Sequence, residues 1–139
     1  QTIFYMWYLL ENYATNEEIQ FLLNNTEMYF VPCINPDGYI HNQSQDPSGF
    51  GMHRKNKNPN VGNTNPGVDL NRNYDFAFGH DNVGSNKDPC AEDYRGKSAF
   101  SEPATRQVRN FLTSTPSVKI ALNLHAWGNL LVHPWSYLN

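Results

Sequence analysis

The chain has 139 residues, with 10 Lys and Arg against 13 Asp and Glu and a formal net charge of −3. That balance leaves no nucleic-acid footprint, and no apolar run is long enough to span a bilayer. The length allows one domain or part of a larger one, and aromatic residues at 14% can furnish a core.

Gln1 leads straight into TIFYMWYLLENY with no initiator Met or signal peptide before it, so the expectation is a piece of a longer polypeptide. Thr2 to Tyr13 is apolar almost all round and predicts a helix buried on most faces. Thr15 then reads as an N-cap, with Glu18 closing a capping box ahead of a short helix through Ile19, Phe21, Leu22 and Leu23. EMYFVPCI, Glu27 to Ile34, is rich in β-formers and predicts a buried strand, with Pro32 near its end and Cys33 a buried thiol.

Asn35 to Lys97 holds eight of the nine glycines and five of the nine prolines, so regular structure is expected to be scarce there. Disorder is the plain alternative. Phe50, Tyr74, Phe76, Phe78 and Tyr94 supply anchors that disordered segments lack, and a long ordered irregular segment is usually functional. Cys90, in this polar segment, reads equally as bridged or free. Ser101 then predicts a cap, with Pro103 in the first helical turn and a core stripe of Ala104, Val108, Phe111 and Leu112. Ile120, Leu122 and Leu124 alternate with Ala121, Asn123 and His125 and predict a two-faced strand. Leu130 to Trp135 predicts another. Alternating helices and buried strands predict an α/β sheet with helical cover.

Several residues could carry chemistry. In GVDLNRNYDFAFG, Gly67 to Gly79, Asn71 and Arg72 together make a receptor for a free carboxylate: the guanidinium fork can hold both oxygens and the amide adds a donor. An Asn-Arg pair in a loop is usually just solvated surface. Arg54 in HRKNKN reads first as a solvated basic loop; its functional reading is an electrophile that polarises a carbonyl and stabilises an oxyanion. Asp69 is a turn-former or a carboxylate that orients a metal-bound imidazole. His125 ends a predicted strand, where it reads first as a hydrogen-bonded core residue and second as a zinc ligand. Trp127 is core or the wall of a substrate pocket. Glu92 and Glu102 are poor candidates for a general base. No HExxH or HxxE occurs, so if zinc binds, most of its ligands are expected outside these residues.

Five segments, in order, resemble the zinc metallocarboxypeptidase family, the carboxypeptidase A-type (M14) peptidases. They are INPDGY (Ile34 to Tyr39), HRKN (His53 to Asn56), GVDLNRNY (Gly67 to Tyr74), CAEDYRGKSAFSEPAT (Cys90 to Thr105) and ALNLHAWGNLLVHPWSY (Ala121 to Tyr137). The A/B-type branch, including bacterial secreted members, is the nearer likeness; a cytosolic deglutamylase-type branch fits less well. The resemblance implies an α/β fold, a mixed and mostly eight-stranded sheet flanked by helices, of which residues 1–139 are the central part of one catalytic domain truncated at both ends. It implies His125 as a zinc ligand, Arg54 as the catalytic arginine at the scissile carbonyl, and Asn71, Arg72, Ala126 and Trp127 as substrate-binding residues. Asp69 is implied as the residue that orients the first zinc histidine. The HxxE segment, the substrate-capping Tyr and the general-base Glu have no counterpart here. His53 and His133 stand where the family often has Trp and Tyr. In animal members the cysteine matching Cys90 pairs with one at the place of Asn65, so that bridge is not expected.

The function implied is zinc-dependent removal of C-terminal amino acids from peptides, with these residues inactive alone and Zn2+ held mostly by others. The alternative is a non-catalytic module that binds peptide C-termini on the same fold. An Asn- and Gly-rich adhesive domain is a weaker third. Peptide or protein C-termini are the expected partners, neither nucleic acid nor membrane is, and the likeness implies an extracellular, secreted protein.

Overall fold

The structure, a computed structural model, describes residues 1–61, 66–126 and 128–133. It divides into two compact units, one of residues 1–34 and 121–131 and one of residues 35–120 and 132–139.

In the first unit, α1 (Thr2–Asn12) and α2 (Glu17–Asn25) form where local hydrogen bonds suffice. The cap of α2 is Asn16 and not Thr15: Asn16 Oδ1 accepts from the backbone of Glu18 at 3.0 Å and Ile19 at 3.1 Å. Thr15 turns its hydroxyl back toward the Asn12 carbonyl. The two helices meet through the Tyr13 hydroxyl, which donates to Asn24 Oδ1 at 2.9 Å. α1 is helical as predicted, yet buries no residue; Phe4, Trp7 and Leu10 are 64, 63 and 71% exposed. A helix apolar on every side needs neighbours on every side, and this unit offers it α2.

The predicted sheet does not form, which overturns the α/β, mostly eight-stranded fold class. Among the described residues the chain is helix, turn and extended segment, and its one β pairing is an isolated parallel bridge between Asn86 and Tyr94. Glu27–Ile34 and Ile120–Leu124 lack the regular ladder that defines a strand. A helix satisfies its own peptide groups, whereas a strand depends on a neighbour's. Ile120 and Leu122 are 80 and 84% exposed, so the expected buried face is absent as well. Of the run from Leu130, residues 130–133 are described as irregular and the remainder lies outside the described residues. Cys33 is exposed and free, against the expected buried thiol, and Cys90 is also free.

The second unit holds the better-built interior, and most of it is polar. Val68, Leu70 and Tyr94 are buried beside Lys55, Asp69, Asn73, Glu102 and Thr105. α3 (Pro36–Gln45) lies inside the segment expected to be irregular; Asn35 caps it by accepting from Gly38 N at 3.1 Å, with Pro36 in the first turn. α4 (Pro103–Ser114) carries Pro103 in its first turn as predicted, but begins one residue later than a Ser101 cap implies. Its N-cap residue is Glu102, without a side-chain cap bond, and Ser101 donates to the Glu102 carboxylate instead. The predicted stripe of α4 is half-buried at Ala104, Val108 and Phe111 and exposed at Leu112; the buried residue of the helix is Thr105, outside that stripe.

Asn56 ties the irregular stretches together. Its N–H donates to the Val68 carbonyl at 2.9 Å and its Oδ1 accepts from Val68 N at 2.7 Å. Its Nδ2 donates to the buried Glu102 carboxylate at 2.7 Å. Gly67 permits this approach: at φ +111 and with Asn56 O only 1.9 Å from where a Cβ would stand, no other residue fits.

Candidate functional site

Asp69 organises the site. Its backbone N–H donates to the Tyr94 carbonyl at 2.8 Å, which holds it in the interior. Oδ1 accepts from Asn71 N at 3.0 Å and so caps a single 3-10 turn, Leu70–Arg72. Oδ2 lies 2.7 Å from Arg54 Nη2. That oxygen is buried and takes no aligned hydrogen bond, so the contact with Arg54 is a charge contact rather than a directed one. One buried carboxylate therefore sets the backbone of the Asn71–Arg72 pair and anchors the guanidinium of Arg54.

Arg54 is held from below by the backbone around it. Asn42 of α3 clasps His53 on both sides: Nδ2 donates to His53 O and Oδ1 accepts from His53 N, each at 2.8 Å. Asn35 Nδ2 donates to Lys55 O at 3.0 Å. Side chains alternate along this extended stretch, so Arg54 faces out with its side chain 47% exposed while Lys55 turns in and is fully buried. The Lys55 ammonium donates to the carbonyls of Pro89 at 2.9 Å and Ala91 at 3.0 Å, and lies 5.7 Å from the centre of the Tyr94 ring. Burial pushes its pKa down.

The His53 ring meets that of His41 edge to face, with centroids 4.8 Å apart. Burial lowers the His53 pKa first; the charges of Lys57 and His41 lower it further, against the Asn56 carbonyl and Glu92, which raise it. A histidine whose folded pKa lies below its ordinary 6.5 is protonated first in the unfolded chain. Its contribution to stability is complete above that value and is lost as pH falls through the folded one. The midpoint of urea unfolding is therefore expected to drop as pH falls below about 6.5, and to drop less in His53→Gln. Equal slopes in the two proteins would contradict this.

Arg72 is half-buried. Its Nε donates to the Gly84 carbonyl, and its Nη1 to Asn71 O at 3.2 Å. Asn71 is exposed. Asp69 pairs with Arg54, whereas the Arg72 guanidinium is held by backbone carbonyls and meets no carboxylate among the described residues. Its charge is the complement of a single carboxylate.

The structure thus gathers Arg54, Asp69, Asn71 and Arg72 in one unit. His125 and Ala126 belong to the other unit and are exposed, and Trp127 lies outside the described residues. Among the described residues no group of three or more His, Cys, Asp or Glu side chains could hold a metal ion. The described residues by themselves do not make up a zinc site. Among the described residues, too, no helix is long and apolar enough to cross a membrane.

Residue types alone did not mark Asn73, which is fully buried behind Arg72. Its Nδ2 donates to Arg95 O at 2.8 Å, Ser101 Oγ at 2.9 Å and Ser98 O at 3.1 Å. Its Oδ1 accepts from Thr105 Oγ1 at 2.6 Å and Glu102 N at 3.2 Å. The one sequence signal was its place directly after Asn71 and Arg72.

The zinc carboxypeptidase (peptidase M14) profile matches residues 1–139, the whole chain. The chain belongs to the zinc carboxypeptidase family. It is 35% identical to mouse carboxypeptidase A2 over 129 residues, covering 93% of this chain and 30% of that one. It is 36% identical over 133 residues to a zinc carboxypeptidase of Simulium vittatum, covering 94% and 42%. Human mast cell carboxypeptidase A is 31% identical over 138 residues, covering 96% and 32%. The chain therefore spans less than half the length of these carboxypeptidases. Among solved structures, thrombin activatable fibrinolysis inhibitor superposes with a TM-score of 0.66 at 25% identity, over 83% of this chain and 27% of that one. The bovine form of that protein, in complex with tick carboxypeptidase inhibitor, superposes at 0.60 with 23% identity, over 84% and 36%, a likeness of fold alone.

Proposed function

We propose that this chain binds the C-terminal carboxylate of peptides through Arg72 and Asn71, with Arg54 placed beside them toward the last peptide carbonyl. The observation that carries this reading is the buried Asp69 carboxylate, which joins Arg54 and the Asn71–Arg72 turn into one cationic unit. An internal peptide segment brings no charge to offset the desolvation of Arg72, so the receptor favours chain ends. Family membership supports peptides as the ligand class. Replacing Arg72 by Ala is expected to weaken binding of a free-carboxylate peptide about 30-fold, the worth of one charged two-pronged contact of about 2 kcal/mol. Binding of the matching C-terminal amide is expected to be unchanged. Equal affinity of Arg72→Ala and wild type for the free acid, measured by calorimetric titration, removes the assigned role.

A second reading, removal of C-terminal residues by a polypeptide of the length of the relatives, is favoured by the whole-chain family match. In it the 139 residues are the central part of one catalytic domain. Arg54 polarises the scissile carbonyl, Ala126 and Trp127 contact substrate, and His125 is one of several zinc ligands. Asp69 serves there as the carboxylate that orients an imidazole. The binding reading is the better supported for this chain: Arg54, Asp69, Asn71 and Arg72 share one unit, whereas the described residues hold no group of side chains suited to a metal. Mass spectrometry of a peptide incubated with zinc and a polypeptide of the length of the relatives separates the two: an intact peptide agrees with binding, and a shortened one with hydrolysis. Export belongs to the same proposal, and absence of the full-length polypeptide from culture medium would count against it.

A further inference from the structure

Arg95 spends its guanidinium on one loop. Nη1 donates to Asp81 O and to Ser85 Oγ, and Nη2 to Asn82 Oδ1, each at 3.1 Å. The guanidinium also lies 5.9 Å from the centre of the Phe78 ring. Its own backbone is fixed: the N–H donates to Asn86 O at 3.0 Å, and the carbonyl accepts from Asn73 Nδ2 at 2.8 Å. The loop it grips supplies Gly84 O, the acceptor for Arg72 Nε. A closed circuit results, from Arg72 through Gly84 and the loop to Arg95, then through Asn73 and the peptide chain back to Arg72.

This circuit decides which edge of the Arg72 fork is available. A guanidinium can hold a carboxylate along its side, through Nε and one Nη, or end-on, through both Nη atoms. Gly84 occupies the Nε donor, and Asn71 O takes one Nη1 hydrogen. What remains for a ligand is the terminal edge.

We propose that Arg95 is a positioning residue for the peptide carboxylate, holding the 81–85 loop so that Gly84 fixes Arg72 Nε and turns the terminal edge of its guanidinium to the ligand. The proposal rests on the reading of Arg72 as a carboxylate receptor. It is distinct from a general packing role, because it names one hydrogen on Arg72 whose protection depends on a residue that touches neither Arg72 nor the ligand.

Nitrogen-15 NMR of the 139-residue chain tests it by following the Arg72 Nε–Hε signal during titration with acetyl-Gly-Gly-Leu and, separately, its C-terminal amide. In the wild type the Hε exchanges slowly with water and the acid binds more tightly than the amide. In Arg95→Gln the Hε is expected to exchange at least about tenfold faster and the acid to bind about tenfold more weakly, with the amide unchanged. A folded Arg95→Gln with wild-type Hε exchange and acid affinity overturns the proposal. If Arg95→Gln does not fold, the double variant Asn82→Ala, Ser85→Ala decides. It removes two of the three hydrogen bonds between the Arg95 guanidinium and the loop, leaving the one to Asp81 O, and the same changes are expected at about threefold size. Unchanged exchange and affinity there overturn the proposal equally. Equal affinity of the wild type for acid and amide instead overturns the receptor reading itself, and the wild type alone reveals that outcome.

Discussion

Asn73→Ala is expected to destabilise the chain by about 4 kcal/mol, since each buried polar group left without a partner costs about 1–3 kcal/mol. The side chain is fully buried, and its two Nδ2 hydrogens serve three acceptors while its Oδ1 takes two donors. Truncation strands the carbonyls of Arg95 and Ser98 and the N–H of Glu102. Thr105 can fall back on the Glu102 carbonyl at 3.1 Å, and water entering the gap recovers part of the rest. A loss near 4 kcal/mol is a large share of the 5–15 kcal/mol that holds a typical domain together, so the midpoint of urea unfolding is expected to fall by about 2 M. A fall of less than about 0.5 M would contradict the central place given to Asn73. Asn73→Asp is expected to be no milder at neutral pH, because it sets a carboxylate against Arg95 O, Ser98 O and Ser101 Oγ.

The second large effect concerns Asp69. Asp69→Asn keeps the shape and an oxygen to cap Asn71, but removes the charge that holds Arg54. Breaking a buried pair from one side costs about 3–5 kcal/mol; here Arg54 is half exposed and can turn to water, which brings the expected loss to about 2 kcal/mol. The effect on binding is expected to be larger than that on the fold. With Arg54 released, the receptor loses its fixed geometry, so affinity for a free-acid peptide is expected to fall at least about tenfold even though a negative charge is removed. Calorimetric titration of the folded variant checks this. Wild-type affinity in Asp69→Asn would mean that the ion pair is architecture without a part in recognition.

The helices were legible where their signals are local. α1, α2 and α4 stand within a few residues of their expected places, because i to i+4 bonds, an Asn cap and Pro103 in a first turn act over short distances. α3 was hidden by its own polar composition, with Gly38 inside it and Pro36 at its start. Glu27–Ile34 and Ile120–Leu124 misled, because apolar β-formers advertise a strand while its partner strand, which alone makes it one, is not written in the segment itself.

In the site, residue types marked Arg54, Asp69, Asn71 and Arg72 as separate possibilities. They could not show that one carboxylate touches both sides of the group. That follows from Asn56 and Gly67, which bring residue 68 against residue 56, and from Asn35 and Asn42, which seat the backbone of residues 53–55. These asparagines carry no mark in the sequence, because their partners lie 11 to 20 residues away along the chain. The inward Lys55 and Asn73 were missed for the same reason.

The most direct test of the account compares acetyl-Gly-Gly-Leu with its C-terminal amide on the wild-type 139-residue chain by calorimetric titration. A receptor built on Arg72, Asn71 and the Asp69-held Arg54 is expected to favour the acid by about tenfold or more. Equal binding of acid and amide would contradict it, since the cationic group would then make no use of the one feature that distinguishes the end of a peptide.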